Sequence, residues 1–185
     1  MKLNPTETEA NKYLKLVKPY LKGIGIDIGS QGAPVVPNAW SFDLPQDKFL
    51  QYNGGYDPRG PIQLRGDAAG SIPIDSESLD FVFSSHLLED FVDWHPILKE
   101  WARLVKPGGY MVILVPDRDL FLAALAKGQP PNDAHRHESH PGELSTYATE
   151  IGMDAVKDEL TNQFEGDYTI WSVFKKPLAT ETAQA

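Results

Sequence analysis

Asp27, Gly29, Gly32 and Asp43 are the residues in this chain whose types and spacing most clearly suggest chemistry. A short apolar run, Ile24, Ile26 and Ile28, leads into the loop that holds the glycines, and the second carboxylate follows the next apolar segment. Glycines there let a ligand approach the backbone closely, and an acid beyond the second strand can accept hydrogen bonds from ribose hydroxyls. In the register of a dinucleotide fingerprint, Gly29 and Gly32 take the second and third glycine positions, and Asp27 takes the first. A carboxylate sits badly beside a pyrophosphate and well beside an ammonium group. S-adenosylmethionine, with a ribose, an adenine, an ammonium and no phosphate, meets that description.

These residues need strands and helices to position them, and the chain alternates the two. An N-terminal helix is expected within residues 1–23, from Tyr13, Leu14, Val17, Tyr20 and Leu21, with Gly23 as its stop. Strands are expected at Ile24–Ile28, Ala39–Phe42, Ile62–Arg65 and Leu79–Ser84. A helix over Pro96–Val105 precedes the turn Lys106-Pro107-Gly108-Gly109. The continuous apolar run Tyr110–Val115 then reads as a central strand of a parallel sheet. A helix from Pro141 to Gly152 and strands at Ala155–Leu160 and Tyr168–Lys175 complete the pattern, while Gln46–Gly60 and Leu120–His140 read as loops. Leu178–Ala185 has no pattern and is expected to be disordered. Such alternation indicates one open α/β domain over residues 1–177.

Composition agrees with that class. The chain has 185 residues, 41% hydrophobic and 23% charged, and no apolar run near the roughly 20 residues that cross a bilayer. The first fifteen residues lack the apolar core of a signal peptide, so a cytoplasmic protein without a membrane partner is expected. A net charge of −9 argues against a nucleic-acid partner. Residues 1–23 carry five lysines against two glutamates, a balance of +3 that leaves −12 for the remainder; a solvated helix face is the preferred reading of that stretch. There is no cysteine, so disulfide and thiolate chemistry are excluded.

Three blocks in order, GIDIGSQG at 25–32, RGDAAGSIPIDSESLDFVFSSHLLEDF at 65–91 and ILKEWARLVKPGGYMVILVPD at 97–117, resemble the class I, Rossmann-like S-adenosylmethionine-dependent methyltransferases of the type 11 group. The resemblance implies a three-layer α/β sandwich around a mostly parallel seven-stranded sheet whose last strand is antiparallel. It implies cofactor contacts from Asp27, Gly29, Ser30, Gln31 and Gly32 in the first loop, and from Asp43 and Leu44 at the ribose. Gly66, Asp67 and Ala68 would read the adenine, and Ser84, Ser85 and His86 would line the methyl-transfer cleft. Two departures stand out. Gln31 and Ala33 replace expected glycines, and Gly32–Asn38, with Pro34 and Pro37, leaves no room for the usual helix after the first strand.

The chemistry implied is transfer of a methyl group to an oxygen or nitrogen atom of a small molecule or saccharide. His86 is the expected base or acceptor-orienting group, with His135 or His137 as a second candidate; Glu89 and Asp90 read as a solvated or capping pair. The spacing of His135, His137 and His140 invites a zinc reading, but no accompanying carboxylate–histidine spacing supports a metal. The four tryptophans read as core or interface. Two other classes compete: a binder of S-adenosylmethionine or S-adenosylhomocysteine that does not catalyse, and a nicotinamide-dependent oxidoreductase, which Asp27 and Asp67 disfavour. The sequence leaves the oligomeric state open.

Overall fold

The computed structural model describes residues 8–137 and 139–178. Seven strands form one sheet: β1 (Gly25–Ile28), β2 (Ala39–Asp43), β3 (Leu64–Arg65), β4 (Leu79–Ser85), β5 (Val105–Pro116), β6 (Asp154–Leu160) and β7 (Thr169–Lys175). Their order across the sheet is β3-β2-β1-β4-β5-β7-β6. The pairings from β3 through β5 are parallel, and β7 runs antiparallel to both of its neighbours. The connections reverse direction between β1 and β4, and ligands of open α/β sheets bind at such a point, beyond the carboxyl ends of the strands.

Alternation along the central strands sends successive side chains to opposite faces. Val82, Met111, Ile113 and Phe174 join Ile97, Leu98 and Trp101 of α3 (His95–Leu104) and Leu144 and Ala148 of α5 (Glu143–Glu150) in one buried cluster. Phe81, Phe83, Val112, Leu114 and Val173 face the other way. Their cover is the N-terminal segment, through Ala10, Tyr13, Val17 and Leu21, and the connection after β1, through Val35 and Val36. That connection contains no helix, as the prolines require: it folds back through turns, with Ala33 N–H donating to the Ser30 carbonyl and Ala39 N–H to that of Val36.

Several expectations need revision. The N-terminal helix is broken into 3-10 turns at Glu9–Tyr13 and Lys18–Tyr20 around α1 (Leu14–Val17); the expected tail beyond Leu178 and residues 1–7 lie outside the described residues. Gln46–Gly60 is a loop only in its second half, because Gln46–Tyr52 forms α2, and Arg118–Ala126 forms α4 where a loop was expected. Lys106–Gly109 does not end before the fifth strand but lies inside it. Val105 pairs with Leu79 and Tyr110 with Phe81, so four residues bulge past Asp80 alone. Trp94, Trp101 and Trp171 are core residues, whereas Trp40 is 45% exposed. No helix among the described residues is long and apolar enough to cross a membrane.

Candidate active site

Two connected hollows open at the carboxyl ends of β1 to β4. One, of about 260 Å³, is bounded by Asp43, Leu44, Gly66, Asp67, Ala68 and Phe91. The other, of about 600 Å³, is bounded by Glu9, Asp27, Ser30, Ser85, Arg59 and Asp133. They share Gly29, Gln31, Tyr52, His86 and Asp90. The side chains of Tyr52 and Asp90, hydrogen-bonded to each other, stand at the junction.

Gly29 follows β1 with φ +83° and donates its N–H to the Phe42 carbonyl at 2.9 Å; a Cβ there would press on Leu87 at 2.9 Å. The turn therefore excludes a side chain on two counts. Asp27 is 3% exposed and accepts the Val35 N–H at 2.7 Å, a contact the helix-less connection supplies. Asp43 accepts from the Gln31 N–H through one oxygen and the Leu44 N–H through the other, both at 2.9 Å. Each carboxylate oxygen has two lone pairs, so each keeps one for a ribose hydroxyl. Asp67 is exposed and accepts the Ala69 N–H at 2.9 Å, while the Ala68 carbonyl is fixed by the indole N–H of Trp101 at 3.2 Å.

Residues 41–113 match the family described as "Methyltransferase domain". The chain has the fold of the class I, Rossmann-like methyltransferases. Its fold is similar to that of an S-adenosylmethionine-dependent methyltransferase from Thermotoga maritima, at 21% identity over 89% of this chain and 88% of that one, with a TM-score of 0.65. A second such enzyme, from Archaeoglobus fulgidus, is 17% identical over 90% and 93% of the two chains, TM-score 0.64. A third, from Aquifex aeolicus, is 16% identical over 94% and 99%, TM-score 0.60. No curated protein matches the sequence. The match and the neighbours imply S-adenosylmethionine as cofactor, and the residues present suit it: a buried acid near the first loop, a backbone cradle at Gly29, and an acid with spare lone pairs beyond β2.

Ten of the twelve residues expected at the cofactor line the two hollows; Gly32 and Ser84 do not. Gly32 packs against another backbone: a Cβ on it would meet the Gly60 carbonyl at 2.1 Å, so its role is to let two loops touch. Ser84 is buried within the sheet and donates to the Ile28 carbonyl at 3.0 Å. Ser30 reaches the wider hollow, but its hydroxyl is paired with that of Ser41.

His86 stands on the boundary of both hollows with φ +49°, a left-handed conformation that is strained for a residue with a Cβ. His137, expected beside it, is elsewhere. Its Nε2 lies 3.1 Å from Glu143, and its ring is 5.7 Å from that of Trp94, on the side of α5. The Glu89 carbonyl accepts the N–H groups of both Arg136 and His137, which fixes that excursion. His135, by contrast, comes within 3.7 Å of the Glu89 carboxylate. Glu89 is not a solvated acid: it is 2% exposed. Tyr52 and residues 132–134 come from the segments 46–60 and 120–140, which were expected to form most of the acceptor pocket, whereas Glu9 was not anticipated. The His86–Glu89 spacing carried a signal, since residues three apart share one side of a helical turn.

Burial pushes the Asp27 carboxyl up to about 8, with nearby Asp43 adding to the rise and the Val35 N–H opposing it. The folded protein therefore holds a proton that the unfolded chain releases near its ordinary aspartate value of about 4. Asp27's contribution to stability is greatest below pH 4 and is lost as pH rises toward about 8. The stability difference between wild type and Asp27→Asn is thus expected to move against wild type over that interval, as read from urea midpoints at several pH values. Parallel curves for the two proteins would show that Asp27 is ionised in the fold.

Proposed function

We propose that this protein transfers the methyl group of S-adenosylmethionine to an oxygen or nitrogen atom of a small molecule or saccharide, with His86 as the base that takes the acceptor's proton. The observation that carries this reading is the meeting of Asp27, Gly29, Asp43, Asp67 and His86 around two joined hollows. When bound, S-adenosylmethionine supplies a methyl group on a sulfonium, an electrophile that needs only an aligned lone pair. Asp27 would hold the ammonium end, Asp43 the ribose hydroxyls, and Asp67 with Ala68 the adenine. The wider hollow would admit the acceptor. Glu9, Asp90 and Asp133 on its border, against Arg59, favour a neutral or cationic acceptor over an anionic one, so amines head the screen. A cytoplasmic setting fits this reading.

Titration calorimetry with S-adenosylmethionine, S-adenosylhomocysteine and NAD tests the ligand. Binding of the two sulfur compounds and not NAD is expected; NAD alone would sink the proposal. A screen of amines, phenols and sugars then tests the transfer itself. His86→Ala is expected to lower turnover by about 10²- to 10⁴-fold, the usual range for a general base, with little change in cofactor affinity. Unchanged turnover would withdraw His86. Tight cofactor binding with no turnover of any acceptor would favour a protein that binds without catalysing.

A further inference from the structure

Glu89 is the most unusual charged group outside the cofactor contacts. Its carboxylate is 2% exposed, and among the described residues neither of its oxygens receives a hydrogen bond. A carboxylate so placed costs several kcal/mol unless positive charge stands beside it. The His86 imidazole can supply it, with Nδ1 at 3.4 Å, and His135 Nε2 lies 3.7 Å away. Glu89 and His86 belong to one short segment, where the left-handed backbone of His86 turns the ring back toward the 3-10 turn Leu88–Asp90. That strain brings a base and a buried acid together.

The opposite edge of the ring is also organised. His86 Nε2 lies 3.3 Å from the Thr169 hydroxyl, which lies 2.7 Å from the Tyr13 hydroxyl, which donates to Asp167 at 2.9 Å. Asp167 further accepts from the Thr161 hydroxyl and from the N–H groups of Gln163 and Thr169. The direction of these bonds matters. With His86 cationic, Nε2–H donates to Thr169, Thr169 to Tyr13 and Tyr13 to Asp167, and every hydroxyl has one acceptor for its proton. With Nε2 unprotonated, the Tyr13 proton still goes to Asp167, and Thr169 must choose between Tyr13 and the ring. Both sides of the imidazole therefore end on a carboxylate, and the pattern is complete only for the charged ring.

We propose that Glu89 is a positioning residue for His86: it holds the imidazole through Nδ1 and, together with Asp167 reached through Thr169 and Tyr13, stabilises the imidazolium that forms when Nε2 takes the acceptor's proton. This rests on the reading of His86 as the base. The contact between Nε2 and Thr169 is about 0.3 Å longer than an ordinary nitrogen–oxygen hydrogen bond, so Nε2 is only loosely held before the acceptor arrives. Other charges face the ring from the N-terminal segment, where Glu9 favours the cation and Lys12 opposes it, and the Tyr168 ring meets its edge at 6.3 Å. Burial by itself disfavours the charged ring, and Glu89 together with Glu9 more than offsets it, leaving the His86 pKa above that of an ordinary histidine.

The test is a ¹H–¹³C and ¹⁵N NMR titration of the histidine rings in the ligand-free full-length protein, assigned with His86→Gln. Because no cofactor is present, a failure of the methyl-transfer reading cannot disturb the result. Wild-type His86 is expected to titrate above the free-histidine value of about 6.5. Glu89→Gln should lower its midpoint by one unit or more, a tenfold loss of proton affinity, and Tyr13→Phe should lower it by less. A wild-type midpoint at or below that of free histidine overturns the proposal, even if Glu89→Gln fails to fold. So does an unchanged midpoint in folded Glu89→Gln. An unchanged midpoint in Tyr13→Phe removes the Asp167 arm. A structural role alone would alter thermal stability and leave the titration in place.

Discussion

Replacing Trp101 with alanine is expected to destabilise the fold by about 3–5 kcal/mol, the range for emptying a buried indole site. Trp101 is 0% exposed and lies on α3 at the centre of the larger core cluster. Stabilities of single domains are about 5–15 kcal/mol, so this one change removes a fifth or more of a typical value. In thermal unfolding the loss corresponds to roughly 6–20 °C at this chain length. The effect should also reach the site, because the indole N–H is the donor that fixes the Ala68 carbonyl beside Asp67. Trp101→Phe restores much of the volume without the donor, and so separates packing from that bond. Trp40→Ala, at a half-exposed ring, should stay within about 0.5 kcal/mol of wild type. A Trp101→Ala protein within 1 kcal/mol of wild type would show that the cluster collapses around the gap.

Replacing Asp43 with alanine should weaken S-adenosylmethionine binding by about 10- to 150-fold, the equivalent of losing hydrogen bonds to a charged group worth about 1.5–3 kcal/mol. S-adenosylhomocysteine should lose as much, since it shares the ribose. Burial raises the Asp43 carboxyl above the ordinary aspartate range, while the Leu44 and Gln31 N–H groups and Arg65 draw it back. Asp43 also braces the loop after β1 through the Gln31 N–H, so part of the loss is in the loop. Asp43→Asn keeps an acceptor for that N–H and should retain an intermediate affinity. Equal affinities for wild type and alanine variant in calorimetry would remove Asp43 from the ribose site.

The sheet was legible because its strands bury whole apolar runs: Tyr110–Val115 and Leu79–Ser84 could be little else. The short helices were not. Phe49 is the one fully buried side chain of α2, and Phe121 that of α4, so neither leaves a 3.6-residue pattern to read. Asp27, Asp43 and Asp67 could be placed because each follows a strand whose end fixes where the next residue points. His137 could not, because its direction is set by the distant Glu89 carbonyl and by Glu143. Glu89 looked solvated for a related reason: its burial is imposed by His135, which arrives from a separate loop.

The missing helix after β1 has a consequence for how the chain comes together in time. Without it, the face bearing Phe81, Phe83, Val112 and Leu114 relies on the N-terminal segment for much of its cover. That segment is anchored where the Tyr13 hydroxyl meets Asp167 and Thr169, 154 and 156 residues further along. A ribosome that has made β1 to β5 has therefore made an apolar surface whose lid, though synthesised before it, has no anchor until β7 appears. The parallel strands can pair during synthesis, but this face closes late, through contacts separated by 154 and 156 residues, and late closure of that kind leaves apolar surface open to aggregation in the meantime.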